Sequence, residues 1–365
     1  MAAAVSLSEH EQRRRDALGE RLFEASIAAL DLYCVHIGDR LGLYRALASH
    51  GPLTAPELAD AAGVHPRYAR EWLEHQAVGG ILEVDDAGAE PDDRRFTLPS
   101  GHAEALVDRD SLAYAAPKAR SIVALGRPID ALIDAFRTGA GVPWSAYGDD
   151  GREAQADMNR VEFIHNLGSE WLPAMPDVHE RLRRPGARIA DLACGAGWSS
   201  IAMARAYPDA RVEGFDADEA SIALARANAA AEGLEERVRF HVRNVAAGDA
   251  PGAYDLVTVF EAIHDLAHPV EALSAMRALA APDGAVLVMD ERTNDRMTPG
   301  DPNERYLYGC SVLVCLPAGM GEEDSAATGT VMRRQTFERY ARAAGFRGVE
   351  VLPVEHDSFR FYRLR

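Results

Sequence analysis

The stretch Ile189-Ala-Asp-Leu-Ala-Cys-Gly-Ala-Gly-Trp-Ser-Ser200 decides the fold. Residues 189–193 form an apolar run of strand length, Gly195 and Gly197 follow within four positions, and a helical pattern starts directly after them. Glycines at such a turn let the backbone approach a ligand closely, and the helix N-terminus beyond it offers unpaired N–H groups. Working outward, the alternation repeats. Strand-like runs at 212–215, 238–242, 256–260 and 286–289 join the run at 189–193, with helical segments after the first, second and fourth of the five. That pattern predicts a doubly wound, parallel α/β sheet. After Gly345 the runs 349–354 and 359–364 are only a tight polar turn apart. A parallel crossover needs about a dozen residues, so these two strands are expected to pair antiparallel.

Asp216 ends the second strand, 21 residues beyond Gly195. A carboxylate at that tip can accept both hydroxyls of a ribose. A dinucleotide fingerprint needs a third glycine where Ser200 stands, which disfavours pyrophosphate and a nicotinamide oxidoreductase. With this glycine-rich motif, Asp216 and the final hairpin, residues 187–365 resemble the class I S-adenosylmethionine-dependent methyltransferases. The helical N-terminal part resembles the dimerisation domain of winged-helix small-molecule O-methyltransferases. Phe260-Glu-Ala-Ile-His264-Asp265, Asp290-Glu291-Arg292, Tyr308-Gly309 and Ser325-Ala-Ala-Thr-Gly-Thr-Val-Met-Arg333 are most similar to an actinobacterial group of that type. The resemblance implies a Rossmann-like seven-stranded sheet with an antiparallel last strand and S-adenosyl-L-methionine as cofactor, held by Asp191, Gly195, Gly197, Asp216, Asn244 and Phe260. Asn244 departs from the acid usual at its position, although an amide oxygen still accepts a hydrogen bond from an adenine amino group. Ala193 and Ala196 stand where relatives often carry glycine and histidine.

From Asp255 the fourth strand leads to His264 nine positions on. In the resemblance this is the register of a catalytic histidine, oriented by an acid at the end of the fifth strand; Asp290 occupies that position, with Glu291 beside it. Methyl transfer from a sulfonium needs an electron-rich acceptor. A neutral imidazole near its ordinary pKa of about 6.5 can take the proton of a phenol or enol, and a carboxylate on its far nitrogen fixes the tautomer. Glu261, at the tip of the same strand, is the other candidate base, and the sequence leaves the choice open. His264 and His268 are spaced like a zinc pair, but Pro269 starts the next helix, so they need not share a face and no metal is expected. His165, in a helical stretch, and Tyr308 and Met320, from the insertion 305–320, are candidate substrate contacts. Their alternatives are a packed histidine and dimer packing.

The first hundred residues read as helices followed by a small hairpin. Thr54 and Glu57 form a capping box, a helix is expected from Pro66 to Val78, and strand runs at 81–84 and 95–98 complete a winged-helix pattern. This segment holds 10 basic and 17 acidic side chains, a charge of −7, and on its third helix Arg67 and Arg70 are cancelled by Glu71 and Glu74. Electrostatics dominates non-specific DNA affinity, so a dimerisation or lid role is favoured over DNA binding. The alternative from another class is a ligand-sensing regulator that binds a nucleoside without catalysis.

Across all 365 residues there are 39 basic and 57 acidic side chains and a net charge of −18, with 47% hydrophobic residues. That composition excludes disorder, leaves room for more than one domain, and argues against nucleic acid as a partner. Lys118 is the only lysine and ends no glycine-rich phosphate loop, and Cys34, Cys194, Cys310 and Cys315 form no disulfide framework or zinc finger. No window approaches the ~18 apolar residues of a membrane span, and the polar N-terminus is unlike a signal peptide, so a cytoplasmic protein without membrane contact is expected. The expected organisation is a winged-helix dimerisation domain at 1–105, a helical linker and active-site roof at 106–186, and a cofactor-binding domain at 187–365. The resemblance implies a homodimer that methylates a small-molecule acceptor, through oxygen, in secondary metabolism.

Overall fold

The computed structural model describes residues 7–244 and 253–365. The chain forms two compact units, divided between Val123 and Ala124.

In the first unit local sequence signals set each boundary. Ser8 accepts the Glu11 N–H and opens the helix Glu9–Arg40, whose first turn carries Glu9 and Glu11 at the positive end of the helix dipole. The reciprocal Thr54–Glu57 box opens Ala55–Ala62, Gly63 closes it in a left-handed conformation, and Pro66 starts the predicted Pro66–Val78. Leu43–His50 lies between. β1 (Glu83–Val84) and β2 (Phe96–Thr97) pair antiparallel as the wing. Leu43, Tyr44, Leu47, Leu58, Leu73 and Phe96 form a buried core. Gly38 is needed where the first helix meets it, because a Cβ there would lie 2.5 Å from the Trp72 ring. Further up that helix Leu18, Leu22, Phe23, Ile27 and Leu30 are 47 to 69% exposed, so the chain leaves this apolar stripe uncovered.

The second unit is built on a seven-stranded sheet: β3 (Arg188–Leu192), β4 (Arg211–Asp216), β5 (Val238–Val242), β6 (Tyr254–Phe260), β7 (Ala280–Glu291), β8 (Val349–Val351) and β9 (Phe359–Leu364). The order is β5-β4-β3-β6-β7-β9-β8. The five predicted parallel strands pair in parallel, and β9 is antiparallel to both β7 and β8, as the short turn before it requires. β7 is longer than the predicted run, because past a register shift between Tyr254 and Leu256 it also pairs from Ala280. Separate apolar clusters cover the faces, one with Ile189, Ile201 and Trp171, the other with Ala190, Leu273 and Phe337. The segment 106–186 is divided between the two units. In the second it includes the helix Gly148–Glu162, which runs on into π-helical turns over Phe163–Trp171. β3 lies between β4 and β6, so the winding direction reverses beside it and opens a crevice at the carboxyl ends of the strands, where ligands bind in such sheets.

Candidate active site

The turn after β3 is strained and anchored. Ala193, Gly195 and Gly197 all have positive φ, and Gly197 is obligatory on two counts: φ is +81°, and a Cβ would meet the Phe240 ring at 2.5 Å. Gly195, at φ +51°, is different, since a Cβ there would meet nothing within 4 Å, which leaves its face open for the close approach of a ligand. Gly197 caps the helix Trp198–Ala206, whose first N–H groups face the turn. Asp191 departs from the expected cofactor contact. It is fully buried, and its carboxylate accepts the hydroxyls of Ser199 (2.5 Å), Ser200 (2.6 Å) and Thr258 (2.8 Å), so it ties the helix start and β6 to β3. Burial pushes this carboxyl up, and the three hydroxyls hold it down in part.

Asp216 stands at the tip of β4 as expected, half-buried. One of its oxygens accepts the Gly195 N–H (2.8 Å) and the other the Asp218 N–H (2.9 Å). Each oxygen retains a lone pair for a further donor. Asn244 is exposed after β5. Phe260 also departs from expectation: it is buried, with its ring edge-on to Phe163 at 5.2 Å within the core. Arg152 was not among the expected site residues. On the helix Gly148–Glu162 its guanidinium lies 3.8 Å from Asp218 and pairs with Asp149, while Nη1 is buried with no partner among the described residues.

At the ends of β6 and β7 the predicted acid–base residues come together. Asp290 Oδ1 binds His264 Nδ1 at 2.6 Å, the expected orienting contact, and also accepts the Glu291 N–H at 2.8 Å. The imidazole expected at His264 as a neutral base is enclosed here. The ring is 3% exposed, and Asp265 Oδ1 lies 3.1 Å from Nε2. Burial alone disfavours the cation, but Asp265 and Asp290 outweigh it and raise the proton affinity of the imidazole well above its usual range. The Cys315 thiol is the third potential metal donor beside His264 and Asp265, and burial pushes it up to about 12. His268 lies away from this group, capping the helix Pro269–Leu279 and paired with Glu322.

Glu261 follows β6 directly with φ +51°, a backbone cost of ~1–3 kcal/mol for a residue that is not glycine. Its Oε2 accepts hydrogen bonds from Asn159 and, at 3.3 Å, from Gln155. Burial pushes this carboxyl up to about 7, against the pull of Asn159 and His264. Glu291 goes further, to about 9, through burial and the charge of Glu261. Glu261 and Glu291 are thus neighbouring carboxyls whose proton affinities are both raised.

The 305–320 insertion is helical: Pro302–Cys310, a π turn over Ser311–Cys315, then Leu316–Gly319. Tyr308 is exposed, its hydroxyl 3.3 Å from Arg333; Met320 is half-buried against Gly141. His165 sits exposed in the π-helical turns.

A methyltransferase-domain family matches residues 183–323, and an Rv2258c-like winged HTH domain matches 28–108. The ubiquinone biosynthesis O-methyltransferase of Bordetella pertussis is 30% identical over 177 residues, 46% of this chain and 68% of that protein. Among solved structures, the mitomycin 7-O-methyltransferase MmcR is similar over 97% of this chain and 99% of its own, with 21% identity and a TM-score of 0.68. The O-methyltransferase NcsB1 from neocarzinostatin biosynthesis, solved with S-adenosyl-L-homocysteine and 1,4-dihydroxy-2-naphthoic acid, covers 91% of this chain and 95% of its own, with 18% identity and a TM-score of 0.59. With the glycine turn, a carboxylate at the tip of β4 and the strand order all in place, the chain belongs to the S-adenosylmethionine-dependent methyltransferases.

Proposed function

We propose that this chain methylates an ionisable hydroxyl on a small acceptor, and that Glu261 takes the hydroxyl proton. The observation that carries the reading is the half-buried Glu261, its carboxyl held by Asn159 and Gln155 at the carboxyl edge of the sheet and its proton affinity raised into the neutral range. A general base is most effective when its pKa lies near the working pH. His264, expected from the sequence as the base, serves here as a fixed cation that favours the ionised form of Glu261. Glu291, protonated at neutral pH, can donate a hydrogen bond to the acceptor. Tyr308 and Met320 supply candidate walls of the acceptor pocket. NcsB1 was solved with a hydroxylated aromatic acid, and an aromatic or enolic hydroxyl is the acceptor class that a carboxylate base of this strength can deprotonate.

When bound, S-adenosyl-L-methionine supplies a methyl group on a positively charged sulfur, open to attack by an oxyanion. The residues present fit such a ligand. Gly195 leaves an open cradle, the N–H groups opening Trp198–Ala206 face it, Asp216 suits the ribose, Asn244 the adenine amino group, and the orphaned Arg152 Nη1 a carboxylate. The chain's remaining contribution is alignment, the term that supplies much of the acceleration in a displacement between two bound reactants. Release of S-adenosylhomocysteine in the presence of a panel of hydroxylated aromatics, set against their methyl ethers, tests the reading. Transfer that ignores blocking of the hydroxyl overturns it.

Asp216→Ala is expected to weaken S-adenosylhomocysteine binding by at least ~10²-fold, from two charge-assisted hydrogen bonds of ~1.5–3 kcal/mol each. Titration calorimetry measures it, and an unchanged affinity removes Asp216 from the site.

The exposed stripe on Glu9–Arg40 supports a twofold dimer formed through residues 1–100. Light scattering is expected to give twice the chain mass of 39.6 kDa, and Leu22→Glu with Phe23→Glu to halve it. A wild-type monomer at micromolar concentration contradicts the assembly.

A further inference from the structure

Gln155 and Asn159 are four residues apart on Gly148–Glu162, hence on one face of the helix, and both amides converge on the same atom, Glu261 Oε2. They come from an element more than a hundred residues distant in sequence from the carboxylate they hold. The backbone of Glu261 is independently constrained: its φ is +51°, and its N–H donates to the Met289 carbonyl at 2.8 Å. A strained backbone tied to the neighbouring strand and a carboxylate gripped at one oxygen together over-determine where this side chain lies, as expected of a preorganised group.

Resting on the reading of Glu261 as the proton acceptor, we propose that Gln155 and Asn159 are its positioning residues: the amide pair pins Oε2 and leaves Oε1 to take the proton of the acceptor. An amide N–H donates only, so it favours the carboxylate over the carboxylic acid. The other titratable groups beside Glu261 are His264 beyond β6, Asp290 and Glu291 on β7, Tyr306 on Pro302–Cys310, and Glu162 on the same helix as the amides. His264 is the only cation among them; Asp290 and Glu162 oppose ionisation, while Glu291 holds its own proton in the neutral range. Without the amides a single imidazolium would have to outweigh burial and those neighbours. The helix Gly148–Glu162 therefore does more than cover the site, since it decides how much of the base is ready at neutral pH.

Infrared difference titration of the protein saturated with S-adenosylhomocysteine tests this without knowledge of the acceptor. The carbonyl stretch of a protonated carboxyl reports the titration, and its loss in Glu261→Gln assigns the band. Asn159→Ala is expected to move the midpoint up by about one to two pH units, the equivalent of one charge-assisted hydrogen bond. Asn159→Asp should move it further, by adding a like charge, and Gln155→Ala should move it less, since its bond is the longer one. This ordered series is beyond a merely structural role. An assigned band whose midpoint stays at the wild-type value in both alanine variants overturns the proposal while leaving Glu261 as the base. A Glu261→Gln protein that keeps both the band and methyl transfer overturns the base itself, and this inference with it.

Discussion

Replacing Glu261 by glutamine is expected to slow methyl transfer by ~10²–10⁴-fold, the range that a positioned proton acceptor supplies. Glutamine keeps the volume and can still accept from Asn159, so the loss measures proton acceptance and not packing. Affinity for S-adenosylhomocysteine should stay close to wild type, because the cofactor contacts proposed above come from the ends of β3, β4 and β5 and not from Glu261. The pH profile carries the sign. Below the raised Glu261 pKa the carboxyl is protonated and idle, so the wild-type rate climbs with pH through the neutral range, and Glu261→Gln should lose that limb. Glu291→Gln provides the contrast: Glu291 is pushed up to about 9 and already carries its proton at neutral pH, so an amide imitates its working form and the rate should fall by only a few-fold. Wild-type turnover in Glu261→Gln, measured on the enzyme's own acceptor, would assign the proton to another group.

The difference between what the sequence disclosed and what it hid follows from the range of the interactions. The glycine turn, the Thr54–Glu57 box, the Pro66 start and the antiparallel final strands were legible because each is settled by residues within a few positions of one another. Asp216 was legible because strand and helix lengths fix its distance from Gly195. The protonation of the site was not. His264 reads as a neutral base until Asp290 and Asp265 are both found beside it, and whether Asp265 turns back toward the ring is a matter of local backbone path. Gln155, Asn159 and Arg152 look like the solvated side of an amphipathic helix, since nothing in a linear pattern says that a polar face covers a cleft. Asp191 and Phe260 were misjudged for the opposite reason. Sitting in or next to a motif does not tell which side of the sheet a side chain faces, and both are buried in packing.

Removing His264 alone is expected to cost more stability than any other change in the site. The His264 ring is 3% exposed and its partner Asp290 is 1% exposed, with Asp290 Oδ2 already lacking a hydrogen-bond partner among the described residues. His264→Ala therefore leaves an uncompensated buried carboxylate, a loss of ~3–5 kcal/mol, which urea unfolding can measure. His264→Ala combined with Asp290→Asn removes both charges and should recover much of that loss. The pH dependence follows from linkage. A histidine whose folded pKa lies above its unfolded value contributes its full stability below the unfolded pKa, about 6.5, and loses it as pH rises through the folded pKa. Wild-type stability should thus decline on the alkaline side of neutrality, and that decline should be absent from the double variant. Activity separates the two roles that histidine can have. As a fixed cation it lowers the cost of ionising Glu261, so the double variant, although stable, should be slower by less than Glu261→Gln and should shift its pH limb upward. As the proton acceptor itself it would give the full ~10²–10⁴-fold loss with Glu261→Gln near wild type. Equal stability of His264→Ala and wild type would mean that Asp290 is not charged when its partner is gone, and the ion pair would no longer account for the high proton affinity of the imidazole.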